Sequence, residues 1–152
     1  MQAKTAAVQQ ATQSCLWTVD TQSNKIYLLG SLHLLKPYAY PLAAAIEKAY
    51  ADSRVVIFET DIAALQSPEV QARLLELGIY PAEQNLLQNL SGSTRQKLEK
   101  KMSEIGLPLA QFSRFKPWFV ALTLTTLELQ RMGYNPAYGI DVYFFNKASA
   151  DG

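Results

Sequence analysis

The chain has 152 residues, of which 49% are hydrophobic and 18% charged, enough apolar material for a folded core and too little charge for global disorder. Fourteen basic and thirteen acidic side chains leave a formal charge of +1, which gives no reason to expect nucleic acid as a partner. The single cysteine, Cys15, excludes an internal disulfide and reads as a small buried hydrophobe rather than a reactive thiol.

Residues 1–14 are rich in Gln, Ala and Thr and read as a flexible lead-in. They show no charged region followed by an apolar run, so they are not an intact signal peptide. No stretch is apolar enough to span a bilayer: even the segment after Pro117 is interrupted by Thr123, Thr125, Thr126 and Glu128.

Residues 15–20 and 26–31 read as two strands, and the Ser23-Asn24 turn between them predicts a hairpin. The second run ends at Gly30, where glycine would permit a tight turn, and His33 follows in the loop beyond the strand. Open α/β sheets place ligands at such strand ends, although a lone histidine equally reads as a hydrogen-bonded loop residue. Lys36-Pro37 ends regular structure. Leu42, Ala45, Ile46 and Ala49 then form the stripe of an amphipathic helix over 41–52.

Residues 54–60 predict a third strand, since Val55 to Phe58 are apolar without alternation, as in a strand covered on both faces. Strand, helix and strand in succession make a βαβ unit with a right-handed crossover. If its strands are parallel, Glu59 and Asp61 lie at the same sheet edge as His33.

From Ser67 onward the pattern is helical. Ser67-Pro68-Glu69 is a helix start, Ser93 with Gln96 reads as a capping box, and Leu98, Met102 and Ile105 give the next helix a narrow apolar stripe closed by Gly106. Residues 116–132 form a helix that is apolar nearly all round and ends at Gly133; it is short of partners to cover it. After Asn135-Pro136, Gly139 opens a last helix with Asp141 near its start, placed to cap it or to complement its dipole. The fold expected is α/β: a small mixed sheet of hairpin plus βαβ strand, followed by a mostly helical region.

A carboxylate and an imidazole at neighbouring strand ends can bind a metal or act as an acid–base pair. Catalytic zinc takes three protein ligands, so His33 and Glu59 alone fall short. Asp61 and Asp141 would add oxygen donors, a set that suits manganese better than zinc. The aromatic cluster Tyr134, Tyr138, Tyr143, Phe144 and Phe145 reads either as core or as a peptide-binding surface.

Leu16-Trp17-Thr18-Val19, Gly30-Ser31-Leu32-His33, Phe58-Glu59-Thr60, Lys116-Pro117-Trp118 and Gly139-Ile140-Asp141 occur in an order and spacing that resembles the TraB/GumN family. That family includes the pheromone-shutdown proteins of enterococci and the Tiki proteins of animals. The resemblance covers residues 15–148 and implies a metal-dependent hydrolase, with Tiki proteins acting as manganese- or cobalt-dependent peptidases on secreted signals. Two Gly-x-x-His motifs and a glutamate are thought to form the family's site. Gly30 and His33 match the first motif and Glu59 the glutamate, which makes His33 and Glu59 the catalytic and metal-ligating candidates.

The second Gly-x-x-His has no counterpart, because the chain has one histidine. Residues 15–152 therefore read as the amino-terminal portion of a larger domain. Trp118 and Asp141, carried by two of the shared motifs, are the candidate substrate contacts. The resemblance further implies an extracytoplasmic location and a peptide or protein substrate, or, in the alternative, peptide capture without cleavage. A more distant resemblance to haem-binding proteins would make His33 an axial ligand. Exposed strand edges would favour a homodimer or domain swap.

Overall fold

The computed structural model describes residues 15–152, so the predicted lead-in lies outside the described residues. The chain is mixed α/β and divides into two compact units, one of residues 15–58 with 136–152 and the other of Glu59–Asn135.

The first unit opens with the predicted hairpin. Strands β1 (Leu16–Asp20) and β2 (Lys25–Leu29) pair antiparallel, with Trp17 opposite Leu28 and Val19 opposite Ile26. The turn is held by Thr21, whose amide donates to the Asn24 carbonyl at 2.8 Å while its Oγ1 accepts from the Asn24 amide at 2.9 Å. Gly30 serves here through its missing side chain: a Cβ at that position would sit 3.0 Å from the Cys15 Cβ. Its backbone does not take the left-handed conformation that the sequence suggests. Cys15 itself is exposed, not buried as expected.

Helix α1 (Ala44–Asp52) lies within the predicted 41–52 segment and buries Ile46 and Ala49. The third strand does not form. Among the described residues the sheet has two strands, and residues 55–58 have no regular secondary structure. A strand covered on both faces needs neighbours, yet Val55 is 74% exposed and Ile57 90%. The βαβ unit and the mixed sheet inferred from it are therefore replaced by a two-stranded antiparallel sheet. Ile46, Ile140 and Phe144 form the core of this unit, with Ile140 and Phe144 on the last helix, which is described below as α6.

The second unit is helical. Helix α2 (Ile62–Leu65) is capped by Asp61, whose Oδ1 accepts from the Ala64 amide at 2.9 Å. Helix α3 (Pro68–Gly78) starts as predicted, with Ser67 as the cap and proline in the first turn. Helix α4 (Gly92–Ile105) is capped by Ser91, which accepts from the Thr94 amide at 3.2 Å, two residues before the expected Ser93. It ends at Gly106 in the left-handed conformation, φ 71°.

Helix α5 (Pro117–Arg131) fits the predicted 116–132 segment, and Gly133 follows at φ 87°. Its Val120 joins Leu86 and Met102 in a buried cluster flanked by Leu98, Ile105 and Leu124. Gly78 lies under the Phe119 ring, with room for no side chain: a Cβ there would fall 2.5 Å from the ring. No described helix is long and apolar enough to cross a membrane.

Helix α6 (Ile140–Asp151) returns the chain to the first unit. It is tied to α1 by one ion-pair network. Lys147 Nζ lies 2.6 Å from Glu47 Oε2 and 4.6 Å from the centre of the Tyr50 ring, and the Tyr143 hydroxyl donates to Glu47 Oε1 at 2.8 Å. Burial alone would raise the Glu47 carboxyl, but the bonds from Lys147 and Tyr143 outweigh it and hold it below the ordinary carboxylate value. A depressed folded value means stability that is present above the unfolded carboxylate value and lost as pH falls through the folded one. Urea midpoints should therefore fall as the pH drops below about 4, and less steeply in Glu47→Gln.

Candidate functional site

The loop after β2 meets the start of α6 through one backbone bond. The Ile140 amide donates to the Leu32 carbonyl at 2.9 Å, which sets residues 31–33 alongside 139–141. The approach is close: a Cβ at Gly139 would fall 2.7 Å from the His33 carbonyl oxygen and 2.7 Å from Asp141 Oδ1. Glycine at 139 is thus a packing requirement, since one of the two neighbours is backbone and cannot swing aside.

This junction brings two of the predicted site residues together. His33 Nδ1 lies 2.9 Å from Asp141 Oδ2. An ionised carboxylate only accepts, so Nδ1 carries the proton in this bond and the ring's Nε2 is left as the acceptor or ligand atom of the neutral imidazole. The His33 side chain is 60% exposed and that of Asp141 22%, so the ring faces solvent from a shielded carboxylate. Asp141 sits in the first turn of α6, where it complements the dipole, while the cap position belongs to Gly139. Its Oδ2 bonds His33 Nδ1, and the cap position is not its own.

Two buried side-chain oxygens in this region have no hydrogen-bond partner, Asp141 Oδ1 and Ser31 Oγ. They flank the residues joined by the Leu32–Ile140 bond. Glu59 opens the second unit, immediately after residues 55–58, and is exposed. With no third strand, no pair of parallel strand ends carries Glu59 and His33. Asp61 is engaged as the α2 cap. Trp118 belongs to the first turn of α5, 44% exposed and edge-on to Phe119 at 5.4 Å.

A catalytic metal needs about three protein donors. Among the described residues no group of three or more His, Cys, Asp and Glu side chains is placed to hold one. The His33–Asp141 pair fits one corner of such a site, because a metal-bound imidazole characteristically donates its other nitrogen to a carboxylate. Three members of the aromatic cluster take the core alternative: Phe144 is buried, Phe145 packs edge-on against Phe58 at 5.8 Å, and Tyr143 packs against Tyr40 at 4.9 Å, whereas Tyr138 is 37% exposed.

The comparisons with known proteins agree with these motifs. The family model described as TraB/PrgY/gumN matches residues 15–152, and the chain belongs to that family. It is 25% identical over 122 residues to the uncharacterized protein YbaP of Escherichia coli (strain K12), and equally to YbaP of Shigella flexneri. Each alignment covers 80% of this chain and 43% of the relative, so the chain spans less than half the length of the curated relatives it matches. No solved structure matches it.

Proposed function

We propose that this chain carries acid–base residues of a metal-dependent hydrolase that acts on peptides outside the cytoplasm. The observation that carries the reading is the 2.9 Å bond between His33 and Asp141, with the imidazole turned to solvent. A histidine held by a carboxylate takes a proton from an attacking water and returns it to the departing amine as the peptide bond breaks. Asp141 fixes the tautomer that this transfer needs and stabilises the imidazolium that forms.

The metal dependence, the peptide substrate and the location rest on the family resemblance. His33, through Nε2, and Glu59 are the residues of this chain that would hold the ion; an Nε2 bound to metal moves no proton, so ligand and acid–base group are alternative roles for His33. Manganese or cobalt, when bound, would polarise the scissile carbonyl and acidify a bound water. Trp118 is proposed as a substrate contact because it exposes an aromatic face close to a helix start.

Calorimetric titration with manganese, cobalt and zinc tests the site. Binding that disappears in both His33→Ala and Glu59→Gln, with circular dichroism unchanged, is the expected result. Equal affinity in either variant would remove that residue from the ligand set.

A further inference from the structure

The hairpin of the first unit is apolar on both of its faces. Leu16 and Leu29, opposite each other across the strands, pack on the Ile46–Ile140–Phe144 cluster. Side chains alternate between the faces of a strand, so Trp17 with Leu28 and Val19 with Ile26 form the outer face. Trp17, Leu28, Val19 and Ile26 are 60%, 54%, 45% and 49% exposed. The stretch after α1 repeats the pattern: Phe58 packs on the same cluster, while Val55 and Ile57 stand out to solvent. A sheet with one wet face carries polar residues there, whereas strands apolar on both faces belong to sheets covered on both. These six outward side chains include no charged or polar group, so water is a poor neighbour for all of them.

Residues 1–14 offer only Met1 and Val8 as large apolar side chains, too few to cover this face. A separate partner engages about 20–30 residues a side in a stable interface, far more than the six presented here. A segment of the same polypeptide needs less contact, because its tether holds it near the face at a high effective concentration. The curated relatives have such chain to supply, since more than half of the length of each lies outside the matched portion. The last helix also ends in the unit that holds the hairpin. The Tyr50 hydroxyl donates to Asp151 Oδ2 at 2.7 Å, and Tyr50, Ser53, Val56, Asp151 and Gly152 line one cleft of about 570 Å³. A segment continuing from α6 thus starts beside the stretch that exposes Val55 and Ile57.

We propose that the outer face of the hairpin is an intramolecular docking surface. Its occupant is an apolar face of the full-length polypeptide, contributed by chain beyond α6, which covers Trp17, Val19, Ile26 and Leu28 and gives the hairpin a second buried side.

Hydroxyl-radical footprinting of the full-length protein reads this face directly. Trp17 and Leu28 should lose most of the oxidation that they show in the same protein unfolded in urea. In the 152-residue chain both should stay reactive, as their exposure requires. Trp17→Thr with Leu28→Thr supplies a second measure, since threonine keeps the strand propensity. The pair of substitutions should raise the unfolding constant of the full-length protein at least ~100-fold, as truncation of two buried side chains does. In the 152-residue chain the rise should stay within about 5-fold, the worth of a cross-strand pair. Full-length protein oxidised at Trp17 as readily when native as in urea would overturn the proposal, whether or not the shorter chain folds alone. So would an equal effect of the substitutions in the two chains. Protection of Trp17 that is lost when the full-length protein is diluted would place a second copy on the face, and would overturn it too.

Discussion

On the hydrolase function proposed above, replacing Asp141 by asparagine in the full-length protein is expected to lower kcat for peptide hydrolysis by about 10²–10⁴-fold while leaving KM within a few-fold. Asp141 Oδ2 accepts from His33 Nδ1 at 2.9 Å and thereby keeps Nε2 free of its proton. An asparagine of nearly the same shape can present its amide NH₂ instead, which stabilises the opposite tautomer and removes the charge that balances an imidazolium. The chain has one histidine, so its ring nitrogens can be read in a ¹⁵N spectrum without ambiguity. Protonation at Nδ1 in the native chain, changed in Asp141→Asn, should accompany the loss of rate. A full loss of rate with the tautomer unmoved would mean that Asp141 acts on something other than His33.

Met102→Ala should cost about 2–5 kcal/mol of stability. Met102 is 1% exposed in the last turn of α4 and packs with Leu86 at 1% and Val120 at 2%, so its truncation leaves a space inside one buried cluster. Removing most of that side chain loses both its transfer free energy and its contacts. Total stabilities of about 5–15 kcal/mol make this a large fraction. Urea unfolding is the measurement, with a lower midpoint at nearly constant slope expected. A shift under about 1 kcal/mol would show that Leu98, Ile105 and Leu124 close over the gap.

Local signals in the sequence are legible wherever a local bond enforces them. The hairpin follows from a Thr21–Asn24 turn that bonds within itself. Ser67-Pro68 starts α3, and Gly106 ends α4, because caps and left-handed glycines act over three or four residues. Ser91 replaced Ser93 as the α4 cap because Ser91, Ser93 and Thr94 offer three hydroxyls within four residues, and only the φ and ψ at Ser91 suit a cap.

Errors arose where the outcome depends on distant chain. An apolar run such as Val55–Phe58 specifies a strand only if other strands stand beside it, and the two described strands pair with each other. The site shows the same division. The sequence singles out His33 as a catalytic and metal-ligating candidate and Asp141 as an oxygen donor, a helix cap or a substrate contact. Their pairing depends on the Leu32–Ile140 bond, which no local pattern announces.

The first unit is interrupted in sequence by the whole of the second, and His33 and Asp141 stand 108 residues apart. During synthesis at about 5–20 residues per second, His33 therefore waits roughly 5–20 s for its carboxylate. The helical unit of Glu59–Asn135 is complete in the growing chain before the hairpin receives α6. In the nascent protein the imidazole thus precedes the carboxylate that bonds its Nδ1, and the pair cannot form until α6 has left the ribosome.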